Sequence, residues 1–261
     1  MARSTTSRTG WWKADLASKL WQDTARTSAI TADGQTVKAM DDQQASNHFT
    51  EATNGPLWKS PSGLLLPALR FDGVNDQLLN NVAPSTFYST TAKTILIAFR
   101  LLGDGTNIAT IYENTMIVGD NMANDVFESN WFGLYVKTVA GAHTLFVYNW
   151  DGNEDTVSTT ILKDTNYIIA VRHDGSNIYI GLNGGSETSA ASGTTAGAGN
   201  CIRIAGNNRS TNQYLNCEIG ELATYNAAIT GAALSDTIQA MMDDWVTAPA
   251  GGILRQMMMR H

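Results

Sequence analysis

The chain has 261 residues, of which 43% are hydrophobic and 16% are charged, and its formal net charge is −7. This length and composition fit one large globular domain, and the acidic balance argues against a protein that binds a nucleic-acid phosphate backbone. No apolar stretch is long enough to span a bilayer, and the polar, basic start precedes no long apolar segment, so we expect neither a membrane partner nor a secretory signal peptide.

The first residues are rich in Ser, Thr and Arg and show no hydrophobic periodicity. We therefore predict an N-terminal arm over residues 1–19, either free or docked on a partner. Its basic and aromatic side chains are the candidates for partner contact, namely Arg3, Arg8, Trp11 and Trp12. Large aromatic residues near a terminus also anchor the first edge of a sandwich, and this alternative stays open.

Short apolar runs separated by turn residues occupy most of the chain. Residues 68–72 alternate apolar and polar side chains as a half-buried strand does, and Asp72 and Gly73 then supply turn chemistry. Similar runs predict an all-β, mostly antiparallel fold. They lie at residues 94–100, 107–112, 131–136, 144–148, 167–172, 178–182, 201–205 and 219–225.

One helix is predicted over residues 230–246, with Thr230 as its N-cap. Its apolar residues recur at helical spacing and would form a buried stripe, namely Leu234, Ile238, Met241, Met242 and Trp245. We predict a C-terminal tail over residues 248–261. Three consecutive methionines in a tail would form an exposed apolar patch, so Met257, Met258 and Met259 are further candidates for partner contact.

Two cysteines, Cys201 and Cys217, are too few for a metal cluster. We expect two reduced, buried thiols, although the two residues could also be neighbours on adjoining strands.

Four motifs, in order, resemble those of laminin G-like, concanavalin A-like jelly-roll domains. They are the leader that begins Leu20-Trp21-Gln22-Asp23, the Phe71-Asp72-Gly73 turn, the predicted hairpin 167–184 and the segment 219–230. The resemblance spans residues 20–245, and one departure is Met40, where many relatives carry Trp. It implies an antiparallel β-sandwich of the concanavalin A-like type with one C-terminal helix, in a domain over residues 20–247.

Some enzymes of this fold are glucanases, in which two carboxylates lie about 5–5.5 Å apart. The expected Glu-x-Asp-x-x-Glu pattern does not occur. Glu218 and Glu221 are three residues apart, which predicts opposite faces of a strand, and Glu154 and Asp155 fall in a predicted loop. The sequence also has no phosphate loop, dinucleotide fingerprint or nucleophile motif. We therefore predict that the chain is not an enzyme.

Two oxygen-rich segments are candidates for calcium, which laminin G-like domains often bind through loop carboxylates. They are residues 120–125 and residues 151–155. The segment at 151–155 begins like an EF-hand loop, but Thr156 and Leu162 stand where that loop needs Gly and Glu. Solvated turns are the simpler interpretation. We therefore expect no cofactor, with Ca²⁺ as the alternative, and the candidate ligands are Asp120, Asp125, Asp151, Asn153 and Asp155.

Carbohydrate binding needs aromatic rings beside polar groups. Tryptophans next to predicted loops supply this combination, although aromatic residues of a sandwich are more often part of the core. The candidates for a sugar site are Trp131, Trp150, Asn149 and Asp151.

The leader looks most like those of tailed-phage structural proteins. This resemblance implies a non-enzymatic capsid decoration (cement) protein of the virion, assembled in the host cytoplasm. Its partners would be the major capsid protein or other virion proteins, with cell-surface glycans as further ligands, and we expect a homo-oligomer. The alternative is a carbohydrate-binding adhesin or lectin module of a tail fibre or a secreted protein. A glycoside hydrolase is a weaker alternative.

Overall fold

The computed structural model describes residues 3–80, 87, 91–103, 115–120, 132–150, 153–194, 202–206 and 214–247, with the backbone alone for residues 115–120 and 150. This part of the chain contains one 3₁₀ helix (Ala17–Lys19) and one α-helix, α1 (Gly231–Trp245). Its strands are β1 (Arg8–Lys13), β2 (Leu20–Trp21), β3 (Ala39–Met40), β4 (Phe49–Thr50), β5 (Leu57–Lys59), β6 (Ala68–Asp72), β7 (Leu78–Asn80), β8 (Lys93–Leu101), β9 (Thr115–Asp120), β10 (Phe132–Val139), β11 (Ala142–Trp150), β12 (Glu154–Ile161), β13 (Asn166–His173), β14 (Asn177–Leu182), β15 (Thr188–Ala191), β16 (Ile202–Ile204) and β17 (Asn216–Tyr225).

The strands form two antiparallel sheets. Sheet A has the order β15-β14-β13-β8-β17-β6-β5, with β1 also paired to β17, and sheet B has the order β12-β11-β10-β9-β16-β7-β4-β3-β2. The inner faces of the two sheets meet in one core, since alternate side chains of each strand point inward. Its members include Trp12, Phe71, Ile97, Phe99, Leu145, Val147, Ile169 and Leu222. This arrangement confirms the predicted antiparallel β-sandwich.

Helix α1 covers the outer face of sheet A and confirms the predicted C-terminal helix. Ile238, Met241 and Trp245 are buried against the sheet, where Ala98 and Ala170 leave room for the helix to approach. Thr230 is the N-cap residue of the helix, as predicted, and has an extended conformation, but its side chain forms no cap hydrogen bond. Within the described residues, no helix has the length and apolar character needed to cross a membrane.

The N-terminal segment belongs to the sandwich, which corrects the predicted arm over residues 1–19. Strand β1 pairs with β17 along its length. Trp12 is fully buried, and its ring meets Phe49 edge-on at 4.9 Å between centroids. Because truncation of a buried tryptophan costs about 3–5 kcal/mol, this one side chain fixes β1 firmly to the domain.

The turn after β6 owes its shape to Asp72. One carboxylate oxygen of this residue accepts the backbone N–H groups of Val74, Asn75 and Asp76 at 2.7–3.3 Å. Gly73 has a φ of 75°, which favours glycine. The Asp72 carboxylate therefore stabilises the turn, as the sequence predicts.

The structure also bears on two other predictions, the loop at Glu154 and Asp155 and the buried thiol at Cys217. Glu154 and Asp155 begin strand β12 and do not lie in a loop, because both pair with the end of β11. Cys217 is a free thiol in the core, and burial raises its pKa well above the ordinary value. Cys201, the run 107–112 and the tail 248–261 lie outside the described residues.

Candidate functional site

The outer face of sheet B carries the candidate site, at strands β10, β11 and β12. Leu134, Leu145 and Val157 of these strands lie in the core. Their neighbours in sequence therefore point outward, because successive side chains of a strand alternate between faces. The outward set consists of Tyr135, Lys137, Thr144, Phe146, Thr156 and Ser158.

Two aromatic rings lie side by side on this outer face. Tyr135 and Phe146 are directly opposite each other on β10 and β11, and their rings stack with centroids 5.3 Å apart and planes at 26°. A Cβ atom at position 133 would lie 2.5 Å from the Tyr135 hydroxyl, so Gly133 lets the tyrosine ring lie close to the sheet. Tyr135 is buried and Phe146 is half-buried, so the phenylalanine is the accessible half of this aromatic shelf.

A shallow groove of about 330 Å³ adjoins the aromatic shelf. Its lining offers one aromatic ring, three hydroxyl groups and one charge of each sign. These groups suit a small polar molecule with one apolar face, which can stack on the ring and hydrogen-bond to the hydroxyl groups. The lining residues are Lys137, Val139, Thr144, Phe146, Glu154, Thr156 and Ser158.

The predicted sugar-binding residues are not brought together in the described structure. Asn149 is fully buried, and its amide group donates to the Ser192 hydroxyl at 2.7 Å and to the Gly193 carbonyl at 3.1 Å. This residue therefore connects the two sheets, which corrects its assignment to a sugar site. The backbone of Trp150 ends β11, and Trp131 and Asp151 lie outside the described residues. The run at residues 144–148 predicts a strand, and its nearly continuous apolar character gives no signal that the Phe146 ring points outward.

The predicted calcium ligands are also spread out. Asn153 is exposed just before β12, Asp155 is half-buried within it, and Asp120 is described by its backbone in β9. Asp125 and Asp151 lie outside the described residues. In the part of the chain that the structure describes, no three His, Cys, Asp or Glu side chains are arranged to hold a metal ion. Calcium binding stays a prediction.

The predicted partner-binding residues of the N-terminal segment bind their own domain. Arg3 pairs with Glu221 at 2.6 Å and with Asp244 at 2.7 Å. Arg8 lies over the Trp11 ring at 4.2 Å, and Trp12 is in the core. Trp12 is fully buried, so its assignment to a partner surface is wrong. Arg3, Arg8 and Trp11 are only partly buried, and partner binding by these three residues stays a prediction. Met257, Met258 and Met259 lie outside the described residues.

Glu218 and Glu221 lie on the same face of β17, so the prediction of opposite faces is wrong. The pairing of β17 with β8 shifts register between Ile219 and Glu221, which places an extra residue, Gly220, in the strand. Both carboxylates consequently point to the outer face of sheet A, where both are fully buried. Glu218 pairs with Arg70 at 2.6 Å.

Glu221 accepts hydrogen bonds from three side chains. The Arg3 guanidinium donates at 2.6 and 2.7 Å, and the indole N–H groups of Trp11 and Trp245 donate at 2.8 and 2.7 Å. Burial lowers the pKa of Arg3, but the charges of Glu221 and Asp244 outweigh it and raise that pKa above its ordinary value. The cluster is a structural connection between β1, β17 and α1.

A second groove of about 400 Å³ separates α1 from strands β13 and β14. Its charged side chain, Glu187, pairs with the buried Arg172, whose guanidinium lies 4.3 Å from the Tyr179 ring centroid. The lining contains no aromatic ring, so this groove matches a stacking ligand less well than the aromatic shelf does. It is lined by Ala170, Gly181, Asn183, Gly184, Gly185, Glu187, Gly231, Leu234, Ser235, Ile238, Gln239 and Met242.

Comparison with known proteins gives a fold but no family. No family model matches the sequence, and no curated protein does. Sialidase of Trypanosoma rangeli, in complex with 2,3-difluoro-KDN, is similar with a TM-score of 0.62 and 10% identity over 91% of this chain and 33% of the sialidase. The same enzyme in complex with sialic acid gives a TM-score of 0.59 and 12% identity over 92% and 33% of the two chains. The binding domain of botulinum neurotoxin DC, in complex with SialylT, gives 0.55 and 6% over 90% and 52%.

These comparisons correct the prediction about enzyme activity and leave the prediction of a virion role untested. Sialidases are enzymes, and this finding overturns the prediction that the chain is not an enzyme. The chain spans only a third of the sialidases' length, and at these identities the likeness shows the fold alone. None of the three named structures is a virion protein, so capsid decoration, a capsid partner and a virion location stay predictions.

Proposed function

We propose that this chain is a carbohydrate-binding module that holds a sugar on the outer face of sheet B. The observation that carries the proposal is the aromatic shelf, where the half-buried Phe146 borders a groove with three hydroxyl groups. Support comes from the similar structures that are complexes with sugar ligands, sialic acid among them. The proposal therefore follows the lectin alternative of the sequence analysis.

The Phe146 ring would stack against the apolar C–H face of a sugar. Around it, the hydroxyl groups of Thr144, Thr156 and Ser158 can each donate and accept hydrogen bonds, as sugar hydroxyls require. A net hydrogen bond contributes about 0.5–1.5 kcal/mol, and the groove is open and shallow. A dissociation constant on the order of 0.1–1 mM for a single sugar is the expected result.

Lys137 favours an acidic sugar at this site. Its side chain lies on the outer face beside the hydroxyl of Thr144, and among the described residues its ammonium group forms no ion pair. A sugar carboxylate placed over Thr144 would come within reach of that ammonium group. Because the pair would be solvent-exposed, it adds about 0.2–1 kcal/mol and determines preference more than affinity.

The test is a glycan array followed by NMR titration of the best acidic sugar and a neutral analogue without its carboxylate. We expect Phe146→Ala to weaken binding of both sugars about tenfold or more, whereas Phe146→Tyr keeps it. Lys137→Gln should weaken the acidic sugar about threefold to fivefold and leave the neutral analogue unchanged.

The matched control is Val74→Ala, which also shortens an apolar side chain, here one that is 58% exposed in the turn after β6. Circular dichroism and the melting temperature establish that each variant is folded. Unchanged sugar binding in folded Phe146→Ala would rule out the aromatic shelf as the binding site.

A further inference from the structure

Strand β12 is one of the two edge strands of sheet B in the described part of the chain. Among the described residues it pairs with β11 and has no strand on its other side. An edge strand presents a row of backbone N–H and C=O groups that can pair with another chain. Strand β12 is eight residues long, so this row is a long one.

Several of the features that keep an edge strand from pairing do not occur in β12. Natural proteins protect such edges with proline, lysine or a very short strand. Strand β12 reads Glu-Asp-Thr-Val-Ser-Thr-Thr-Ile, with its two charges at one end and residues of high strand propensity elsewhere. Leu162, which follows it directly, is 63% exposed and is the most exposed large hydrophobic side chain of the described residues.

We propose that β12 pairs antiparallel with β12 of a second copy of this chain, about a two-fold axis that passes through Thr159. The two copies of sheet B then form one continuous sheet. Directly opposite residues of an antiparallel pair point to the same face, so the register must keep Val157 and Ile161 on the core side in both copies. A centre at Thr159 places Val157 of one copy opposite Ile161 of the other, and Ser158 opposite Thr160.

Several registers keep Val157 and Ile161 on the core side in both copies. Charge pairing favours the register that is centred at Thr159. With Thr159 at the centre, Asp155 of each copy comes near Lys163 of the other, which lies in the turn that follows β12. Among the described residues neither side chain forms an ion pair within its own chain, so both charges are available. A shift of two residues would place Asp155 opposite Ile161 and leave the charges unmatched.

The same register covers the exposed leucine. Thr156 of one copy comes next to Leu162 of the other, one residue past the strand end, so the leucine side chain would pack beside the threonine methyl group. The interface therefore combines backbone hydrogen bonds, a buried apolar pair, a charge pair and cover for Leu162. All of these contacts occur twice, as a two-fold axis requires.

Sedimentation equilibrium over a range of protein concentrations tests the proposal. We expect a monomer–dimer equilibrium for the native chain. Asp155→Lys and Lys163→Asp each place like charges opposite each other at two points, and each should raise the dimer dissociation constant about tenfold. The double variant, which exchanges the two charges, should restore the native constant.

Asp236→Lys is the control, because it makes the same charge reversal at an exposed position on α1. It should leave the dissociation constant unchanged. Hydrogen exchange should also show that amides of residues 155–161 gain protection as the concentration rises. A native chain that stays monomeric at all concentrations, or a dimer that neither single reversal weakens, would overturn the proposal. The test uses no sugar and is therefore independent of the proposed function.

Discussion

Glu221 shows how one buried charge can join three elements of a fold. The carboxylate is fully buried on the outer face of sheet A, where an unpaired charge would be costly. It is tolerated because Arg3, Trp11 and Trp245 all donate to it, and these residues lie at the N-terminus, in β1 and in α1. The orientation of all three therefore depends on one acceptor.

Substitution of Glu221 should strongly lower the stability of the fold, although the change in side-chain shape is small. Glu221→Gln keeps the side-chain shape but leaves Arg3 without its main counter-charge and puts an amide N–H₂ against donor groups. We expect a loss of about 3–5 kcal/mol in the free energy of unfolding, measured by urea denaturation. Asp236→Asn on the exposed side of α1 is the matched control and should change stability by less than about 0.5 kcal/mol. A similarly small loss in Glu221→Gln would contradict this account.

The turn between β6 and β7 should make stability depend on pH. Burial and the neighbouring charge of Asp72 raise the pKa of Asp76 to about 7, against the opposing effect of a hydrogen bond from the Asp72 backbone. The folded state thus holds the proton of this carboxyl more tightly than the unfolded chain does. Its contribution to stability is fully present below about pH 4 and is lost as the pH rises to about 7.

The substitution Asp76→Asn tests this dependence, because an amide keeps the acceptor oxygen and cannot ionise. We expect the melting temperature of the variant to exceed that of the native chain at pH 8, with the difference shrinking toward zero at pH 4. Asp236→Asn should show no such trend. A difference that is the same at both pH values would contradict a raised pKa at Asp76.

The elements differ in how far the sequence predicts them. Helix α1 follows from its 3.6-residue apolar spacing, and strand β8 follows from its continuous apolar run, because both patterns reflect burial directly. The bulge in β17 could not be predicted, since one extra residue reverses the face of every later side chain without changing the composition. Gly220 allows the Trp245 ring to approach so closely that a Cβ atom would lie 2.3 Å from it, a constraint that appears only in three dimensions.

The proposed sugar site lies at a different position from the sugar site that the sequence predicts. The tryptophans next to predicted loops, Trp131 and Trp150, are the aromatic candidates from the sequence. The described ring of the site, Phe146, lies in mid-strand, and its role depends on the cross-strand neighbour Tyr135 and on the space left at Gly133. Such pairings join separate strands and cannot be read from the order of residues.

The described part of the molecule has three layers, with sheet B, sheet A and α1 in that order, and β1 connects the last two. Removal of residues 1–13 would take away Trp12 from the core and Arg3 from Glu221 at once. Each loss costs about 3–5 kcal/mol, and the sum is comparable with the entire stability of a typical domain.

We therefore expect the chain without residues 1–13 to lose its near-UV circular dichroism and its cooperative melting transition. A chain that lacks only residues 1–2 keeps Arg3 and Trp12 and should melt like the native chain. If the longer truncation melted at the native temperature, β1 would be dispensable and the predicted arm would regain support.

The outward direction of Phe146 has a consequence for the proposed dimer. Pairing that keeps the core sides together also keeps the outer faces together, so both aromatic shelves would face the same direction. Three strand spacings separate the two β11 strands, which is about 14 Å across the joined sheet. Two weak sites at this separation could bind neighbouring sugars of one glycan, or of two glycans on a densely glycosylated cell surface. Avidity would then multiply a millimolar affinity by about 10²–10⁴ without any new contact to the sugar in either site.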